Sequence, residues 1–182
     1  MPLSRYLLFF SLATVGCAVD LWTKSWIFAR LGMPDADGRF IPVWDEILIL
    51  QTNLNEGALF GMGQGYFGWF AVLSVLAGIG VLYWLFVLGA ARDLILTVAL
   101  GMISGGICGN LYDRLGLPGL VWNGIRGHEV GEPVYAVRDW VRFKIDSIGF
   151  DWPVFNVADS LLVCGAGLLL LGTFRRQASP SP

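Results

Sequence analysis

From Phe67 to Leu88 the chain runs for 22 residues without a charged side chain, and that stretch limits what the molecule can become. A helix of about 20 residues at roughly 1.5 Å each crosses the hydrocarbon layer of a bilayer. Three further runs are of the same kind. Tyr6 to Phe28 carries only Asp20 and Lys24 as charges, Leu94 to Tyr112 carries none, and Ser160 to Phe174 carries none before Arg175 and Arg176 close it. Charged residues make up 14% of the chain, against about a quarter in soluble proteins. The expected fold is therefore a membrane all-α protein, a bundle of four transmembrane helices in one polytopic domain covering residues 1–182. The spans are placed near 6–28, 67–88, 94–112 and 156–174, leaving long segments outside the membrane at about 29–66 and 113–155.

Several classes drop out at once. A net charge of −2 and a pI near 5.2 leave no footprint for nucleic acid. Cys17, Cys108 and Cys164 all lie in apolar runs and are expected to be free thiols rather than a disulfide framework or a metal site. His128 is the only histidine, so a zinc site built on two or three histidines is excluded, and no metal or organic cofactor is expected. Arg5 ahead of the first run, with Thr14-Val15-Gly16-Cys17 inside it, faintly suggests a cleavable leader. The apolar run continues past Cys17, however, and we expect a retained span.

The long segments have strand character. Phe40–Trp44 and Ile47–Thr52 are rich in β-branched and aromatic residues. Later, Val137, Asp139, Val141, Phe143 and Ile145 fall on one face of an alternating run, which places a carboxylate on an otherwise apolar face. Gly101, Gly105 and Gly109 recur every fourth residue in the third span, as close helix packing in lipid requires. Four spans put both termini on one side. The long-loop side has more basic residues, eight against four, but arginine flanks every short end (Arg5, Arg92, Arg175, Arg176). On that second ground the termini are placed in the cytoplasm.

With this topology four polar clusters converge at one membrane face. Asp20 and Lys24 are four apart on one helix face and can pair, a structural role. Asp113 and Arg114 end the third span, where an aspartate opposes the helix dipole and needs a partner; a scaffold role is favoured for both. Asn110 lies one turn earlier, facing a neighbouring helix or the site. Asn55 stands in a turn after the second strand.

Asp159, in the first turn of the fourth span, has no base in helical register, and Asn156 shares its face. An ionisable group at the edge of hydrocarbon costs on the order of 3 kcal/mol to insert, which marks it for function. Were the Asp139 strand to fold back onto it, two carboxyls with few counter-charges would share a proton. Such a pair hydrolyses amides, one member drawing a proton from water while the other donates to the carbonyl oxygen or leaving nitrogen. The dipole favours Asp159 as the ionised base, with Asp139 carrying the proton. The alternative, that Asp159 only caps its helix and Asp139 pairs with a surface arginine, stays open on chemistry alone.

Taken together, Asp20-x-x-Thr23-Lys24, Asn55-x-Gly57-Ala58-x-Phe60-Gly61, Gly105-Gly106-x-x-Gly109-Asn110-x-x-Asp113-Arg114 and Phe155-Asn156-x-Ala158-Asp159 resemble, in order, the motifs of the lipoprotein signal peptidases (signal peptidase II). The resemblance covers Asp20 to Phe174. It implies a bacterial inner-membrane aspartic endopeptidase with its site at the extracytoplasmic face and a small β-cradle there, which suits Phe40 to Thr52. The implied substrates are prolipoproteins already bearing a diacylglyceryl group, cut just before the modified cysteine. Asp139 and Asp159 match the family's catalytic pair, and Asn110, Arg114 and Asn156 match positions that line the site.

Two departures stand out. The stretch between Arg114 and Asp139 is much longer than usual, and Arg138 stands where an apolar residue is expected. Asp113, Asp146 and Asp151 therefore compete with Asp139, the last two as loop acids. The expected partners are prolipoprotein and membrane lipid, with no nucleic acid, and the chain is expected to act as a monomer. Rival functions are a small proton- or cation-coupled transporter using Asp159 and Asp113, and an assembly factor docking through its glycine face. Ionisable groups are missing from the middles of the last three spans, which argues against a transport pathway.

Overall fold

The computed structural model describes residues 2–34, 38–45, 47–57, 63 and 65–178, and for 175–178 the backbone only. Four helices are long and apolar enough to cross a membrane. They are α1 (Leu3–Leu31), α2 (Phe67–Leu82, prolonged by a π-helical turn over Tyr83–Val87), α3 (Leu94–Arg114) and α4 (Val157–Ala178). The first is longer at both ends than the apolar run indicates. It starts after Pro2 and stops where Gly32 adopts φ +78° and sends its N–H to Phe28 O. Helix α3 takes Asp113 and Arg114 into its last turn, and Asp93 caps its start by accepting from Leu96 N at 3.0 Å. Helix α4 runs through Gln177, expected to be tail; 179–182 lie outside the described residues.

Helix α3 is central, packed against α1 and α4, with α2 against it more lightly. Its small residues make this approach possible. A Cβ added at Gly101 or Gly105 would stand 3.1 Å from Leu12 Cβ or Ala13 O of α1, and one at Gly106 would stand 2.5 Å from Ala158 O of α4. One face of α3 thus receives α1 and an adjoining face receives α4. Of α2 before its π turn, only Ala71 is buried, while Trp69, Leu73, Leu76 and Ile79 face outward. Such an apolar surface is tolerable in lipid and not in water.

The chain outside the helices folds into one antiparallel sheet in the order β1 (Phe40–Trp44), β2 (Leu48–Asn55), β3 (Val137–Ile145), β4 (Phe150–Phe155). Strand β4 was not expected; Asp151 and Pro153 hide its pattern. Both edge strands carry a proline, Pro42 and Pro153, where a missing N–H is harmless. Strands β2 and β3 change register between Leu50 and Asn53, after which Asn53 stands opposite Asp139.

The insertion before β3 is folded too. Val121 bridges to Pro133, Trp122 N donates to Glu132 O, and Gly131 N donates to Trp122 O. The Trp122 indole is buried with Ile27, Phe28 and Leu31 at the end of α1 and with Leu54 of β2.

Candidate active site

The site is built on a buried ion cluster where α1, α3 and α4 meet the sheet. Lys24 Nζ reaches Asp20 Oδ2 at 2.7 Å and Asp113 Oδ2 at 3.0 Å as ion pairs and donates to Asn110 Oδ1 at 2.9 Å. Asp20, Lys24 and Asp113 are wholly buried. The expected Asp20–Lys24 pair is present, and Asp20 does more besides. Its Oδ1 accepts from Ala158 N at 2.8 Å, satisfying a donor in the first turn of α4 from a different helix. Asp113 has the partner its position demanded, and a second one. Arg138 donates to it through Nε at 2.9 Å and through its backbone N at 3.1 Å, with Nη1 on Ser25 Oγ. Both oxygens of Asp113 are occupied by cations and an amide, which removes it as a competitor for Asp139. Thr23 bonds only to Val19 O and Asp20 O of its own helix among the described residues.

Asp139 and Asp159 meet across Asn156. The Asn156 side chain donates from Nδ2 to Asp139 Oδ1 at 2.6 Å and accepts at Oδ1 from Asp159 N at 2.9 Å. Asp159 Oδ2 in turn accepts from Asn156 N at 3.1 Å. This reciprocal pair is a capping box, with Asn156 as cap and Asp159 three residues on, so the sequence sets the local geometry. Asn110 completes the set. Its Nδ2 donates to Asp159 Oδ1 at 2.9 Å, and its Oδ1 accepts from Asn156 Nδ2 at 3.2 Å.

Asp139 is 1% exposed, and its described hydrogen bonds come from amides, those of Asn156 and Asn55, rather than from an arginine. Burial, followed by the neighbouring Asp159 charge, raises its pKa to about 8; the Lys24 charge and the two amides pull the other way. Asp159 is half-buried and opens on a cavity of about 990 Å³ shared with Asn55, Asn110 and Arg114. Arg114 Nη2 donates to Gly57 O at 3.2 Å, and Asn55 Oδ1 accepts from Gly57 N. Deeper in the membrane the same cavity is walled by Ile107, Leu162 and Val163. Its size suits a large ligand with one polar and one apolar end.

The other competitors for Asp139 lie elsewhere. Asp146 pairs with Lys144 and Asp151 with Arg142, both exposed, and Asp151 sits in β4 rather than in a loop. Ala58, Phe60 and Gly61 of the second motif lie outside the described residues. Among the described residues no cluster of histidine, cysteine and acid could hold a metal. Two residues that sequence reasoning missed touch the site's surroundings. Arg126 lines the cavity from the insertion, and Arg138 braces Asp113. Neither carries a periodic or motif signal.

Among the described residues four helices apolar enough to cross a membrane, an antiparallel sheet and a cavity with Asp159 at its wall define a polytopic membrane protein with an enzyme-like site. A sequence model of the signal peptidase (SPase) II family matches residues 12–175. The chain is 44% identical to the lipoprotein signal peptidase of Rhodopirellula baltica, over 98% of its own length and 77% of that protein's. It is 33% identical to that of Shouchella clausii, over 87% of each. Among solved structures, a bacterial membrane enzyme determined by the in meso method at 2.3 Å superposes with a TM-score of 0.75, covering 95% of this chain and 91% of that one at 24% identity. The chain belongs to the signal peptidase II family of membrane peptidases.

Proposed function

We propose that this peptidase is aspartic, that Asp139 and Asp159 are its catalytic residues, and that its substrates are diacylglyceryl-modified prolipoproteins cut just before the lipidated cysteine. The observation that carries the assignment is the junction at Asn156, whose side chain donates to the Asp139 carboxyl and whose backbone N donates to the Asp159 carboxyl, while two other acids nearby are paired with Lys24 and Arg138.

Asp139, with its pKa raised to about 8, enters as the acid. Asp159 enters as the carboxylate, supported by donors from Asn110 Nδ2 and Asn156 N at the positive end of α4. Asp159 takes a proton from water as the water oxygen bonds to the scissile carbonyl carbon, and Asp139 gives its proton to the carbonyl oxygen. The resulting gem-diol collapses when Asp159 passes its new proton to the amide nitrogen. The C–N bond breaks, and a hydroxyl proton returns to Asp139. The signal peptide leaves with a carboxyl terminus, the lipoprotein keeps a free amine, and the pair is restored.

The cavity fits such a substrate. Its polar end holds Asn55, Asn110 and Arg114 as amide and guanidinium donors for a peptide backbone, and its apolar end between α3 and α4 accepts signal helix and acyl chains. The relatives are bacterial, and arginines flank the short ends of the spans, which supports an inner-membrane location with the sheet and site on the extracytoplasmic side. The chain is proposed to act alone, as a monomer without metal.

The test is cleavage of a diacylglyceryl-modified precursor by purified protein, with the unmodified precursor beside it. Asp139→Asn and Asp159→Asn should each reduce turnover to below about a thousandth while inserting normally. Full cleavage by either variant, or equal cleavage of the unmodified precursor, overturns the assignment. A transporter would instead retain its flux without either precursor.

A further inference from the structure

The insertion between α3 and β3 grips β2 on both sides of Asn55. Arg126 Nη1 donates to Leu54 O at 2.6 Å, and Nη2 donates to Asn53 Oδ1 at 2.8 Å. On the far side, His128 Nε2 lies 3.0 Å from Glu56 Oε1. Between the two grips, Asn55 hydrogen-bonds the Asp139 carboxyl. Asn53, Leu54 and Asn55 pair with Asp139, Arg138 and Val137 just after a register shift, so the gripped end of β2 is the part of the ladder that lies against Asp139.

The gripping loop is itself held firmly. The His128 ring stacks on Trp122 with centroids 4.1 Å apart and planes 4° apart, and the indole beneath is 2% exposed. His128 Nδ1 is 3.0 Å from Glu132 Oε2, which ties the loop to itself. Arg126 has φ +55°, a left-handed conformation that a non-glycine residue keeps only when its surroundings impose it. Here that conformation accompanies a side chain reaching back to β2.

We propose that the 115–136 insertion positions Asp139, with Arg126 and His128 clamping β2 so that the Asn55 amide stays against the Asp139 carboxyl. The proposal rests on Asp139 belonging to the catalytic pair. Arg126 and His128 are positioning residues. The charges felt at Asp139 come from Asp159 of α4, Lys24 of α1 and Arg114 of α3, and none of them is carried by the insertion. The insertion is connected to the Asp139 carboxyl through Asn55. Its amide favours the ionised form, so a slackened clamp lets Asp139 keep its proton to higher pH.

The experiment measures kcat and KM of the full chain in lipid-detergent micelles across pH, with a diacylglyceryl-modified precursor. Arg126→Ala and His128→Phe are the variants; the second keeps a ring on Trp122 and drops the hold on Glu56. Each should lower kcat about tenfold, as small misplacements of catalytic groups do. KM should stay within about twofold, and the alkaline limb of kcat should move up by about half a pH unit. Arg126→Lys, able to reach one acceptor of two, should recover part of both changes. Wild-type kcat and pH profile in both variants overturns the proposal. A rise in KM alone also overturns it, by making Arg126 a substrate contact. If Arg126→Ala does not fold, His128→Phe decides alone. An Asp139→Asn variant that still cleaves removes the catalytic assignment itself, whereas an inactive one beside wild-type clamp variants removes only the clamp.

Discussion

Replacing Asp139 by asparagine tests the shared proton through stability as well as rate. In the folded protein the Asp139 carboxyl keeps its proton to about pH 8, and in the unfolded chain it ionises near 3.8. Between those values the folded state holds a proton that the unfolded state has lost. Stability therefore falls as pH rises across the window and levels off above about pH 8. Each pH unit is worth about 1.4 kcal/mol. From about pH 5 to pH 8 this one group withdraws up to about 4 kcal/mol from the wild type. An amide in its place cannot ionise and keeps an oxygen for the Asn156 donor. The stability of Asp139→Asn relative to wild type should thus grow with pH, by at most on the order of 4 kcal/mol across that interval. Unfolding of both proteins by sodium dodecyl sulfate, followed by tryptophan fluorescence at several pH values, reads this directly. A difference that stays constant with pH, or shrinks as pH rises, would refute the assignment of the proton to Asp139.

Lys24→Met should destabilise the protein by about 3–5 kcal/mol in the same assay, because it strands Asp20 and Asp113 without their common cation. Adding Asp20→Asn to that variant should restore part of the loss. Gly109→Ala should cost about 1–3 kcal/mol, since its Cβ would fall on Asp20 Oδ2 and stand 3.3 Å from Ala158 Cβ, whereas Gly167→Ala meets nothing within 4 Å and should be neutral or mildly stabilising. Asn156→Ala should lose about 1–2 kcal/mol of capping and most of kcat together, because one side chain caps α4 and holds Asp139.

What the sequence made legible follows from how local each signal is. The spans are visible because an uncharged run of about 20 residues is a one-dimensional feature. The Asp20–Lys24 pair is visible because both members lie on one helix face. Partners brought from other elements are not. Nothing along the chain says that Lys24 also binds Asp113 and Asn110, or that Asp20 caps α4 through Ala158 N. The glycines of α3 signal a close approach but not that two helices arrive, α1 on Gly101 and Gly105, α4 on Gly106, and both on Gly109. Strand β4 is obscured by Asp151 and Pro153, which are acceptable only because the strand lies at an edge. The insertion has no periodicity, and its order comes from burying Trp122 against α1 and β2.

Four aspartates at this end of the bundle, Asp20, Asp113, Asp139 and Asp159, divide by the kind of partner each is given. Asp20 and Asp113 face cations, Lys24 for both and Arg138 for the second. A cation in direct contact holds a carboxylate in place as one half of an ion pair. The described hydrogen bonds to Asp139 and Asp159 come from amides instead, from Asn156, Asn55 and Asn110 and the backbone N of Asn156. Amides satisfy the oxygens without adding a full positive charge, so burial and mutual repulsion remain free to keep one proton on the pair. Lys24 acts on Asp139 only through its charge, because its ammonium lies against Asp20, Asp113 and Asn110. On the proposed assignment the cationic cluster is therefore the rigid foundation and the amide cluster the reacting one. Adding a single positive charge to the second, as Asn110→Lys would, should hold Asp139 in its charged form and stop turnover without removing either carboxyl.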